Sequence, residues 1–89
     1  LEKGIIYSAN PNPFFDNIEI NYGVFTKSKV IISVYNIHGE IVATLSEKVL
    51  DPGKYSVLWN PHDNLPKGHY FISILINQLQ VHYVKVIRQ

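Results

Sequence analysis

The chain of 89 residues has no cysteine, no methionine and a single tryptophan, Trp59. Without cysteine there is no disulfide framework and no Cys-based zinc site, so a fold this small must be held by its core alone. The usual per-residue range then puts its stability on the order of 4–13 kcal/mol. Charge is also scarce: 8 basic and 7 acidic residues leave a net +1, with no basic block or stripe of the kind that tracks nucleic acid. No apolar run approaches the roughly 18 residues of a membrane span. The longest, Tyr70 to Ile76, is interrupted by Ser73 and has the length of a strand. There is no initiator Met and no charged start followed by an apolar run, the pattern of a signal peptide. A single domain, 1–89, cut from a longer chain is the expectation.

What the chain does have is alternation. Hydrophobic residues make up 46% of it, too many for disorder. Their period is two: Ile18, Ile20 and Tyr22; Val30, Ile32 and Val34; Tyr55, Val57 and Trp59; Tyr70, Ile72, Ile74 and Ile76. Shorter strands are expected at Ile5 to Ser8, Ile41 to Leu45 and Val81 to Ile87, and no window carries a helical period. Turn chemistry separates them. Pro11 and Pro13 lack ladder donors, so the segment around them is irregular. Asn36-Ile37-His38-Gly39, Asp51-Pro52-Gly53, the loop Asn60 to Gly68 and the hairpin pair Asn77-Gln78 divide the rest. About seven short strands with turns every 8–12 residues predict an all-β protein, an immunoglobulin-like antiparallel β-sandwich. The inward set is Val30, Ile32, Val34, Tyr55, Val57, Trp59, Tyr70, Ile72 and Ile74, with Trp59 at its centre. Either Phe14 or Phe15 plugs one open end.

Patterns that carry chemistry are missing. His38, His62, His69 and His82 have no i, i+2 or i, i+4 spacing to a second ligand, and they read as exposed turn or strand-face residues. Asp16, Asp51 and Asp63 with Asn17 and Asn64 lack a calcium-loop spacing and read as solvated turn residues. Ser8, Ser28, Ser33, Ser46, Ser56 and Ser73 have no nucleophile elbow around them. Glu19, Glu40 and Glu47 are not paired for acid–base work. The expectation is a domain that is not an enzyme and takes no metal or cofactor. Seven aromatic residues, Tyr7, Phe14, Phe15, Phe25, Tyr35, Phe71 and Tyr83, cannot all be core, which leaves a carbohydrate-binding surface open.

One ordered set of segments is more specific than any of these. Ile5-Ile6-Tyr7-Ser8 runs into Asn10-Pro11-Asn12-Pro13-Phe14. The strand Val30 to Tyr35 ends in Asn36-Ile37-His38-Gly39-Glu40-Ile41-Val42. Two Gly-x-Tyr openings follow, Gly53-Lys54-Tyr55 and Gly68-His69-Tyr70, and then the tract Lys85-Val86-Ile87-Arg88. In this order they resemble the C-terminal sorting domain of type IX secretion cargo proteins in Bacteroidetes, over nearly the whole chain. Asn60-Pro61-His62 and the end at Arg88-Gln89 depart from the commoner pattern. The resemblance implies a non-catalytic immunoglobulin-like domain that directs an N-terminal passenger through the periplasm and across the outer membrane. Its implied partners are the outer-membrane translocon and a sortase that removes the domain and anchors the passenger at the cell surface. The implied motif residues are Pro11, Asn12, Pro13, Phe14, Gly39, Gly53, Tyr55, Gly68, Tyr70, Lys85 and Arg88, with Lys85 and Arg88 expected as exposed charges near the chain end. Other readings of the same strands are a structural immunoglobulin-like module or a carbohydrate-binding accessory module of a cell-surface protein.

Overall fold

In the computed structural model, which describes residues 2–89, the alternating segments form seven strands. They are β1 (Gly4–Asn10), β2 (Ile18–Val24), β3 (Ser28–Tyr35), β4 (Ile41–Leu50), β5 (Gly53–Trp59), β6 (Gly68–Ile76) and β7 (Leu79–Arg88). The seven strands pair antiparallel throughout, in two sheets ordered β1-β2-β5 and β4-β3-β6-β7. In the constant-type immunoglobulin arrangement the fourth strand extends the first sheet. Here it pairs with β3 instead, giving a three-on-four sandwich. The expected all-β sandwich is therefore the observed one.

Between the sheets the period-two positions meet. Ile18, Ile20 and Tyr22 of β2 face Val30, Ile32 and Val34 of β3 and Tyr70, Ile72, Ile74 and Ile76 of β6, all buried. Ile6, Phe14, Val24, Trp59 and Val86 complete this core. Of the nine residues expected inward, Tyr55 and Val57 are only partly buried, although they do pack against the core. They lie on β5, the outermost strand of the smaller sheet, which leaves one flank uncovered.

Strand β4 is twice as long as its sequence suggested, running on through Ser46-Glu47-Lys48 to Leu50. As an edge strand it is exposed or half-buried throughout, so it carries no clean alternation. Pairing of Ser28 with Leu50 and Lys29 with Val49 keeps it extended regardless. The register slips twice along this pair, leaving Leu45 and Val42 without a partner; bulges of this kind are one way an edge is blunted.

One long side of the sandwich is laced shut. The Ile6 amide of β1 donates to Nδ1 of His82 on β7 at 3.0 Å, a bond between the two sheets. His82 is thus half-buried and bonded, not the exposed strand-face histidine expected. At the hairpin from β6 to β7, Asn77 and Gln78 take φ of 50° and 72°, the left-handed pair of a tight hairpin turn. The strand directions gather four segments at one end of the sandwich: residues 11–17, 36–40, 60–67 and the final pair 88–89. The turns 25–27, 51–52 and 77–78 occupy the other end, with the start of β1.

Candidate functional site

Residues 11–17 leave β1 through Pro11 and Pro13, both preceded by cis peptide bonds, and here the chain meets its own end. Asn12 lies between two residues that have no N–H, and its side-chain amide supplies the missing pairing groups. Its Nδ2 donates to the Lys85 carbonyl at 3.1 Å, and its Oδ1 accepts from the Ile87 amide at 3.0 Å. Two residues on, the Phe14 amide donates to the Ile87 carbonyl at 2.9 Å, and the Gln89 amide donates to the Phe14 carbonyl at 2.7 Å. Phe14 thereby pairs with Arg88 as a one-residue parallel bridge. Four hydrogen bonds join residues 12–14 to residues 85–89 across more than 70 positions of sequence.

The same bridge aims the phenylalanines. Phe14 is fully buried, while its neighbour Phe15 is 66% exposed. The plug over the open end is Phe14. Its ring lies 5.4 Å from that of Trp59, and Trp59 lies 5.4 Å from Tyr70 in an edge-on contact. Centroid separations in this range are favourable for tilted aromatic pairs. The Tyr70 hydroxyl turns back to donate to the Pro66 carbonyl. Burial pushes that hydroxyl above the ordinary tyrosine pKa, and the positive charge of Arg88 offsets part of the rise.

Arg88 corrects an expectation. Far from being an exposed charge, it is 7% exposed. Its Nη1 donates to the carbonyls of His62 at 2.8 Å and Leu65 at 2.7 Å, and its Nε donates to that of Phe15 at 3.4 Å. Among the described residues the one salt bridge is elsewhere, between Lys29 and Glu47, so carbonyl oxygens alone balance this guanidinium. A buried charge is tolerable only with such bonding. Arg88 therefore pins the 60–67 loop and the segment after Phe14 to the terminal strand. The signal was present in the parity: Val84, Val86 and Arg88 share the inward phase of β7. Lys85, in the opposite phase, is exposed as expected.

Most of the remaining motif residues gather at this same end. Gly39, with φ of +80°, closes the turn after β3, where Asn36 Oδ1 accepts from the amides of His38 and Glu40 at 2.9 and 3.1 Å. Gly68, with φ of +134°, begins β6. Between that turn and residues 65–70 lies a hollow of about 330 Å³, apolar at Ile37, Leu65 and Tyr70 and rimmed by His38, Lys67 and His69. Gly53 and Tyr55 stand apart, at the far end of the sandwich, where the Tyr55 hydroxyl donates to the Asp51 carbonyl at 2.6 Å. Nine of the eleven motif residues thus share one end, and two do not. Among the described residues no three His, Asp or Glu side chains converge as metal ligands would, and no helix is long and apolar enough to cross a membrane.

An immunoglobulin-like sandwich whose terminal strand is clamped by a Pro-Asn-Pro-Phe segment defines the class. The sequence model of the secretion system C-terminal sorting domain matches residues 8–89, and the chain belongs to that family. It is a C-terminal sorting domain of type IX secretion, which directs export through the periplasm to the outer-membrane surface or the medium. No curated protein matches the chain. Solved structures share the fold at low identity. The β-glucosidase of Kluyveromyces marxianus superposes with a TM-score of 0.64 at 9% identity, over 100% of this chain and 14% of its own. The sensor domain of the anti-sigma factor RsgI4 of Pseudobacteroides cellulosolvens gives 0.59 at 13%, over 99% and 96%. The alkylpurine DNA glycosylase AlkC of Pseudomonas fluorescens gives 0.55 at 10%, over 99% and 31%. The chain thus spans a third or less of the glycosylase and the glucosidase, and identities this low speak for the sandwich alone.

Proposed function

We propose that the clamped end of the sandwich is what the type IX machinery reads, and that the domain works without catalysis as the address of a passenger on its N-terminal side. The family match over residues 8–89 carries this reading. The geometry supports it. The start of β1 lies at the end opposite Arg88, so a preceding domain would leave the clamped end open to a translocon. Lys85 and the hollow beside Gly39 and Gly68 offer exposed features there, while Asn12, Phe14 and Arg88 hold the terminal strand in place. Sortase removal of the domain and anchoring of the passenger complete the proposal, with Pro11, Pro13, Tyr70, Gly53 and Tyr55 acting through the fold.

The test fuses residues 1–89 behind a signal peptide and a fluorescent protein in a type IX-competent bacterium. The intact fusion is expected at the surface or in the medium. Lys85→Ala should lower export without moving the melting temperature, since an exposed charge usually contributes within about 0.5 kcal/mol. Arg88→Ala should lower export and the melting temperature together, because its guanidinium holds the 60–67 loop. An intact fusion that stays periplasmic beside an exported authentic cargo would overturn the proposal and leave a structural module.

A further inference from the structure

The outer face of the four-stranded sheet is not the polar surface that an exposed sheet face usually presents. Tyr35 of β3, Phe71 of β6 and the exposed Lys85 of β7 form one row, and one step along Ser33, Ser73 and Tyr83 form the next. The Phe71 and Tyr83 rings meet edge to face at 6.0 Å. Together with Tyr35 they wall a shallow hollow of about 440 Å³ that reaches from Gln80 on β7 to the turn at Ile37. No charged side chain is among the residues lining it. At its floor Ser73 is 1% exposed, and its Oγ is buried without any hydrogen-bond partner. A buried hydroxyl in that condition is uncommon and costs stability.

We propose that this hollow binds a neutral saccharide, independently of the sorting role. The aromatic faces offer the apolar stacking surface that a pyranose ring presents C–H groups to, and amphipathic rings such as tyrosine suit a half-wet site. The lining itself supplies no cation, and the exposed Lys85 beside Phe71 is a single charge, which suits a phosphate, a sulfated glycan or an acidic peptide poorly. The orphan Ser73 hydroxyl and the exposed Gln80 amide provide donors and acceptors for sugar hydroxyls. Tyr83, 55% exposed, has room to tilt and open the way to Ser73. The Asn36 amide takes no part, because its bonds to His38 and Glu40 already hold the turn.

The experiment is an amide NMR titration of the 89-residue protein with cellohexaose, maltohexaose and chitohexaose, with dextran sulfate as the charged comparison. Saturable shifts centred on residues 71–74 and 80–84 are expected for at least one neutral sugar. Tyr83→Ala and Phe71→Ala should each weaken that binding roughly three- to tenfold, the range of a lost aromatic contact. Ser73→Ala should weaken binding while leaving the melting temperature unchanged or raised, because it deletes an unsatisfied buried group. A purely structural serine would show the second effect without the first. Four outcomes overturn the proposal: no saturable shift with any neutral sugar, shifts that survive Tyr83→Ala, tighter binding of dextran sulfate, or shifts at these residues that track protein concentration. The last would assign the face to a second copy of the chain.

Discussion

Gly53-Lys54-Tyr55 and Gly68-His69-Tyr70 are the same motif in two places, and they solve the same local problem. In each, the tyrosine hydroxyl reaches back four residues to a carbonyl two positions before the glycine, Asp51 in one case and Pro66 in the other. This is the tyrosine corner of immunoglobulin-like sandwiches, used twice. Their surroundings differ. Tyr70 opens a central strand and is buried between Trp59 and the end of the chain. Tyr55 opens an edge strand, half-buried and stacked on Tyr22 at 5.8 Å. Gly68 holds a φ of +134°, whereas Gly53 has no positive φ, and a Cβ there would meet the Tyr55 ring at 3.5–3.7 Å, ordinary contact. A shared motif therefore fixes a corner, while strand position decides what that corner supports.

Trp59→Ala tests the comparison most severely. It strips the ring between Phe14 and Tyr70 and should cost about 3–5 kcal/mol in denaturant melts, as large core truncations do. A loss below about 1 kcal/mol would mean the aromatic cluster does not hold the clamped end. The glycines come next. Gly68→Ala should cost about 1–3 kcal/mol for forcing a side chain into a region nearly reserved for glycine. Gly53→Ala should lie within about 0.5 kcal/mol of the parent, or stabilise by restricting the unfolded chain. Equal losses from the two would remove the backbone distinction between the corners.

Deleting the hydroxyls gives a smaller effect. Tyr70→Phe leaves the Pro66 carbonyl unbonded in a partly buried site and should cost about 1–2 kcal/mol. Tyr55→Phe should cost about 0.5 kcal/mol or less, since water can take over the exposed Asp51 carbonyl. The smallest signal is in pH. Burial raises the pKa of Tyr70 and of Tyr22, the latter offset in part by the Ser46 side chain and raised again by Tyr55. The unfolded chain ionises first, near the ordinary value of 10.0. Proton binding is then greater in the folded state, so stability is full below that pH and falls as pH rises above it. Melts in this alkaline window should decline less steeply for Tyr70→Phe than for the parent.

Legibility followed the range of the interaction. Seven strands, their turns and the inward phase of β2, β3 and β6 could be read from alternation and from Gly, Pro and Asn positions, because pleat and turn geometry act over a few residues. Strand β4 was read too short because an edge strand with no fully buried face leaves no period to read. Arg88 was misjudged because its charge was weighed before its phase. Asn12 stood out only through the family motif, and nothing local showed its bonding role, since the strand that its amide completes lies 73 residues away.

The order of apolar and turn residues determined by itself that this chain is a β-sandwich, which side chains face inward along its central strands, and which family it resembles. Only the tertiary structure decided that Phe14 and not Phe15 is the plug, that Arg88 is a clasp, and that one tyrosine corner is core and the other edge. The first group depends on local steric rules that any chain with these residues obeys. The second depends on which distant segments the topology brings together, and on how much water their contact leaves behind.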